Sequence, residues 1–240
     1  GDIGTDGGAY NTMQFGGSGI DEMSVESRLT LTNMTTEAGA KNGIIEADQK
    51  TLDYLQQRGA TNLNQIRSDE DTEYTKVFEY EASEIEPIVA KPFSPDNITQ
   101  VRDVSSVELD KAYIGSCTGA KYEDLFAAAK ILKGKKVKIR TEVLPAAISI
   151  YKKAMQDGLL QIFIDAGAMV GPPTCGACCG AHMGVLAKDE VCISTTNRNF
   201  PGRMGHIDSQ TYLASPLVAA ASAITGKITD PRDLNWKVMS

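Results

Sequence analysis

The chain predicts an α/β fold built on a mostly parallel sheet with helices on both faces. Two observations carry this. From residue 111 onward, short apolar runs alternate with longer runs of helical period: KAYIGS, YEDLFAAAKILKG, KVKIRTEVL, AISIYKKAMQDG and LQIFIDAGAMV. That order of strand and helix is what crossover connections between parallel strands produce. The residues able to do chemistry, in SCT and PTCGAC, also follow predicted strand ends. Ligand sites of open α/β sheets lie at those carboxyl ends.

The elements follow in order. GDIGTDGGAYNTMQFGGSG is Gly-rich and reads as turns. A helix is expected from Ser24 to about Asn42, with Ser24 as N-cap, Leu29 and Leu31 as apolar anchors and Gly43 as its stop. A second runs from Asp48 to Arg58 and closes at Gly59. Ala60 to Thr75 is polar and acidic, a surface segment. Val77, Phe78 and Tyr80 then suggest a strand, and KPFSPDN, with two prolines, a linker between domains 1–92 and 93–240. In the second half KAYIGS, KVKIRTEVL and LQIFIDAGAMV are the strands. YEDLFAAAKILKG and AISIYKKAMQDG are the helices.

At 240 residues the chain has room for one large domain or two smaller ones. A net charge of −7 argues against nucleic-acid binding, which needs a basic face. No apolar run approaches the ~18 residues of a membrane span. Five cysteines, an odd count with two adjacent, argue against a secreted disulfide framework and for a reducing cytoplasm.

Cys117 lies far upstream of the C-x-x-C pair Cys175 and Cys178. Three such thiolates can hold one iron–sulfur cubane and leave its fourth iron open as a Lewis acid. The residues allow other readings: Cys175, Cys178, Cys179 and His182 form a local zinc-type set, or the thiols are unrelated. Cys192, in the apolar VCIST, reads as a buried small hydrophobe. In STTNRNFPGRMGH, Arg198 and Arg203 can present two guanidiniums to a small carboxylate. Asn33 and Glu37, at i and i+4, share a helix face where a carboxylate could move a proton. Neither His182 nor His206 has a triad partner, and no Walker-type or nucleophile-elbow loop is present.

Taken together, SVESRLTLTNMTTEAGAKNGI, KPFSPDN, YIGSCTGAKYEDL, IDAGAMVGPPTCGACCGAHMG, CISTTNRNFPGRMGH and YLASPLVAAASAITGKITDPR resemble the aconitase superfamily. The likeness covers essentially the whole chain and is nearest to the large subunits of the isopropylmalate dehydratase and homoaconitase branch. It implies aconitase-type three-layer α/β/α domains, with Asn33 and Glu37 in the second domain and the cysteines and arginines in the third. It implies a [4Fe–4S] cluster on Cys117, Cys175 and Cys178, lined by Asn33 and Asn197. Glu37 would contact the hydroxyl or water at the open iron, and Arg198 and Arg203 would hold substrate carboxylates.

The implied activity is hydro-lyase chemistry on malate-type acids, foremost isopropylmalate dehydration in leucine biosynthesis. Homoaconitate, methylmalate and dimethylmalate are the alternative substrates. The implied partner is the small subunit, a swivelling domain that supplies a serine base and more arginines. The family's leading segment with acid/base histidines and aspartates has no counterpart here, so the chain alone is expected to be inactive. The alternative of another class is a non-catalytic metal-binding module. One position departs from the pattern: Gly119 stands where the family often has Asn.

Overall fold

A computed structural model of the chain describes residues 1–234. Its contacts divide it into two compact units. One is Asp6–Glu86; the other joins Gly1–Thr5 to the chain from Pro87 onward.

The smaller unit is built on two parallel strands, β1 (Thr12–Phe15) and β2 (Asn42–Ile45), paired in register from Thr12 with Asn42 to Phe15 with Ile45. Between them lie α1 (Ser18–Glu22) and α2 (Val25–Met34). After β2 comes α3 (Gln49–Gln56). Ser24 caps α2, its hydroxyl accepting from the Ser27 amide, as the sequence predicts. The helix is shorter than expected. After Met34 it tightens into a 3-10 turn, Thr35–Ala38, and Gly39 ends it at φ +78°. Gly43 lies inside β2 instead, where any side chain would run into Thr35. Asp48 caps α3 through the Thr51 amide and pairs with the buried Arg28 at 2.7 Å. The strand expected at Val77–Tyr80 does not form; all three apolar residues are exposed and lie outside every strand of the described residues.

The larger unit is a seven-stranded sheet in the order β4-β3-β9-β8-β5-β6-β7. β3 (Ile88–Ala90) and β4 (Ile98–Gln100) form an antiparallel hairpin on one edge, with KPFSPDN as its loop. The rest of the sheet is parallel: β5 (Lys111–Ile114), β6 (Arg140–Val143), β7 (Met169–Val170), β8 (Val191–Ser194) and β9 (Gln210–Leu213). The hairpin joins it antiparallel, β3 meeting β9 at Ala90 and Leu213. After β5 come α4 (Ser116–Gly119) and α5 (Tyr122–Leu132). After β6 come α6 (Ile148–Gln156) and α7 (Leu159–Ala166), and α8 (Pro216–Thr225) follows β9.

The run LQIFIDAG, expected as a strand, is therefore mostly the helix α7. Leu159, Leu160, Phe163 and Ala166 are its buried residues, at helical spacing, and only Met169–Val170 joins the sheet. Alternation along the strands separates the two sheet faces. Ala112, Ile114, Val143 and Ile193 point to the main core with Leu125, Ala129 and Phe163 of the helices. Tyr113, Leu144 and Cys192 belong to a second, smaller cluster with Ala177, Leu186 and Met204 from the connections leaving β7 and β8. Those connections carry Cys175, Cys178 and the two arginines Arg198 and Arg203. Among the described residues no helix is long and apolar enough to cross a membrane.

Candidate active site

Cys117 sits just beyond the carboxyl end of β5, in the four-residue helix α4. Ser116 before it adopts φ +76°, a costly conformation for a residue with a Cβ. The surroundings compensate with hydrogen bonds. Thr195 Oγ1 accepts from the Gly115 amide at 2.9 Å and donates back to the Gly115 carbonyl. Thr118 Oγ1 donates to the Thr195 carbonyl at 3.0 Å, and Lys121 Nζ to the Thr118 carbonyl at 2.9 Å. Ser116, Thr118 and Gly119 are buried while Cys117 is exposed, so a locked turn presents the thiol.

Cys175 and Cys178 come from the connection after β7. A 3-10 turn, Gly176–Cys179, closes with the Cys178 amide on the Cys175 carbonyl at 3.0 Å. This spacing exposes Cys175 and buries Cys178. Burial pushes the Cys178 thiol up. The Arg203 guanidinium, hydrogen-bonded to it, opposes that shift, and the thiols of Cys175 and Cys117 add to it. Cys178 therefore lies within electrostatic reach of Cys175 and Cys117, although two separate loops supply them. No cysteine is in a disulfide.

Among the described residues no three His, Cys, Asp or Glu side chains close on a point that would hold a single ion. The zinc set Cys175, Cys178, Cys179 and His182 is thus not assembled, and His182 and Cys179 are exposed. A cubane makes a different demand, since each thiolate binds its own iron and the ligands stand further apart. Three thiols outside any disulfide, one of them hydrogen-bonded by a guanidinium, fit such an anionic, sulfur-rich group. Arg203 also buries an Nε–H that no acceptor satisfies, a donor left over for a group seated there.

Asn197 and Arg198, both half-buried and both engaged with neighbours, lie on the β8–β9 connection that also carries Arg203. Asn199, between the arginines, is the buried peg of this loop. Its Nδ2 donates to Lys91 O at 2.8 Å and to Thr211 O at 3.1 Å. Asn33, half-buried at the end of α2, and Glu37, buried in the following 3-10 turn, belong to the smaller unit. The break from α-helix to 3-10 between them means the i,i+4 spacing is not that of one continuous helix.

The profile described as "Aconitase family (aconitate hydratase)" matches residues 1–108 and 98–226. The chain belongs to the aconitase family. This aconitase-family chain is 51% identical over 234 residues to the "3-isopropylmalate dehydratase large subunit" of Clostridium kluyveri, covering 97% of the chain and 56% of that protein. It is 51% identical to "3-isopropylmalate dehydratase large subunit 1" of Pyrococcus abyssi, covering 98% and 56%. Against the Hydrogenobaculum large subunit the figure is 49%, over 100% of the chain and 57% of the relative. The chain spans little more than half the length of the curated relatives it matches.

Sequence reasoning missed the polar residues under the loops: Lys111, Tyr113 and Glu142 on the strands, Thr195 and Asn199 beyond them. A signal was present. A buried strand reading Lys-Ala-Tyr-Ile places two hydrogen-bonding side chains on one face, and a Glu stands at the matching place in RTEV.

Proposed function

We propose that this chain is the part of a hydro-lyase that carries its metal-binding thiols, acting on isopropylmalate or a close malate-type relative. The observation that carries this is the trio of cysteines outside any disulfide, from two loops at strand carboxyl ends, with the Arg203 guanidinium hydrogen-bonded to Cys178. The family and the names of the relatives supply the reaction class.

Cys117, Cys175 and Cys178 would hold a [4Fe–4S] cluster. Bound there, the cluster would supply an open iron, a Lewis acid that draws charge from a departing hydroxyl. The chain's own residues do the rest. Arg198 and Arg203, on one connection, grip carboxylates through paired N–H donors and so fix the acid in place. By the family resemblance, Glu37, buried in its 3-10 turn, would exchange a proton with the hydroxyl, and Asn33 and Asn197 would supply polar contacts. The two structural units correspond in this reading to the second and third domains of a large subunit. The base that takes the carbon-bound proton comes from the small subunit, and the setting is the cytoplasm, where free thiols persist.

Anaerobic purification followed by iron and acid-labile sulfide analysis tests the reading. Equal iron and sulfide, with broad absorption near about 400 nm, is expected for the parent chain and is lost in Cys175→Ser. Unchanged iron in that variant refutes the ligand set. Turnover is expected only with the small subunit and the remainder of the large subunit present. Rates on isopropylmalate, homoaconitate and methylmalate then identify the substrate.

A further inference from the structure

The sheet face beneath the cysteine loop buries an ion pair. Lys111 on β5 and Glu142 on β6 have side chains 0% and 3% exposed, with Nζ and Oε2 2.9 Å apart. A buried pair of this kind contributes little stability over an apolar pair of the same volume, because desolvation offsets the attraction. Glu142 Oε2 makes no hydrogen bond, so it acts on Lys111 as a charge. Lys111 Nζ also donates to the Gly184 carbonyl. Two residues along the same face of β5, Tyr113 Oη donates to the Cys175 carbonyl at 2.8 Å.

Cys175 and Gly184 are the two ends of the segment that contains Cys178. One strand face therefore fastens both ends. The backbone of the segment is shaped for this approach. Gly184 has φ +77°, and a side chain there would run into the Glu142 carboxylate and the Lys111 ammonium. Gly176 has φ +50°, and a Cβ there would stand 2.8 Å from Tyr113 Oη.

We propose that Tyr113 and the Lys111–Glu142 pair are positioning residues that hold the Cys175–Gly184 loop, and with it the Cys178 thiol, in register for cluster binding. The cluster part of this rests on the proposed function. The fastening of the loop does not.

The variants are Tyr113→Phe, which removes one oxygen, and Lys111→Met with Glu142→Leu, which replaces the ion pair by apolar volume. In the metal-free chain under argon, iodoacetamide labelling of each cysteine is followed by mass spectrometry. Cys117, held by a different loop, is the internal reference. Both variants are expected to keep a cooperative melt while the Cys178-to-Cys117 labelling ratio rises about tenfold, the opening expected from one lost buried hydrogen bond. In chain reconstituted with iron and sulfide, the lifetime of the visible absorption against a chelator falls by a similar factor. A ratio unchanged in either variant, whatever happens to Tm, overturns the role of that residue. If the parent takes up no iron, the cluster reading fails while the labelling ratio still decides the positioning role.

Discussion

Gly119 offers the sharpest test of how the Cys117 turn is built. The position is packed against Thr195. A Cβ there would overlap the Thr195 side chain and stand 2.5 Å from its carbonyl oxygen. Gly119→Ala must displace the same Thr195 whose hydroxyl holds Gly115 and whose carbonyl accepts from Thr118. Overpacking costs about 1–3 kcal/mol. Losing one or two of these buried hydrogen bonds costs about 1–3 kcal/mol more. We expect Gly119→Ala to lose about 3 kcal/mol in urea unfolding followed by circular dichroism, and to load less iron. Thr195→Ser, which keeps the hydroxyl and drops the methyl, does not restore it, because the carbonyl oxygen still blocks the Cβ. A Gly119→Ala chain within about 0.5 kcal/mol of the parent refutes the packing argument, the scatter expected of surface changes. So does full rescue by Thr195→Ser. The glycine is then more than the loss of an asparagine contact. It lets the Cys117 turn close on the β8 loop.

Three other outcomes are expected. Asn199→Asp turns a donor to backbone carbonyls into an acceptor and should cost about 3 kcal/mol of stability by urea unfolding. An unaffected midpoint refutes the peg. The Arg28 hydrogen bond holds the Asp48 carboxyl well below the usual carboxylate range. A depressed folded pKa means the stabilisation is complete above the unfolded value near ~4 and is lost as pH falls through the folded one. Carbon-detected NMR titration should find Asp48 still ionised where ordinary aspartates protonate, and Arg28→Lys should bring it back towards them. Because Asp48 is a third exposed, the pair is worth only about 1 kcal/mol. Finally, burial pushes the Cys192 thiol up to about 12, so it should escape iodoacetamide at pH 8 in the native chain. Labelling at the rate of Cys117 contradicts this.

The sequence disclosed elements where local chemistry and tertiary packing agree. Ser24 and Asp48 cap helices because their oxygens reach amides three residues on, a relation that is local. The parallel sheet was legible from the alternation of strand and helix, and the cysteines and arginines from their placement after strand ends. The misreadings have a common cause. LLQIFIDA is dense enough in apolar residues to pass for a buried strand, and only the spacing of Leu159, Leu160, Phe163 and Ala166 reveals a helix. Val77, Phe78 and Tyr80 carry strand propensity, but a strand exists only with a partner, which no local pattern reports. Gly43 looked like a helix stop because Gly39, four residues earlier, could not be distinguished from it without knowing which glycine takes positive φ.

The polar groups beneath the site were the least legible, and their placement says most about the architecture. β5 divides its labour by alternation. Ala112 and Ile114 enter the apolar core, whereas Lys111 and Tyr113 reach the loop above the other face. A loop with three glycines of positive φ and exposed thiols at Cys175 and Cys179 has little apolar surface of its own to fix its shape. Its conformation must come from hydrogen bonds supplied by something rigid, and the central strand of a parallel sheet is the most rigid element available. The Cys117 turn obeys the same rule, borrowing order from Thr195 beyond β8, as the arginine loop borrows it from the β3 and β9 backbones through Asn199. Each chemistry-bearing loop is thus held by a buried polar side chain that contributes no chemistry. Substitutions at these supports should disturb the thiols and arginines while leaving every predicted ligand in the sequence.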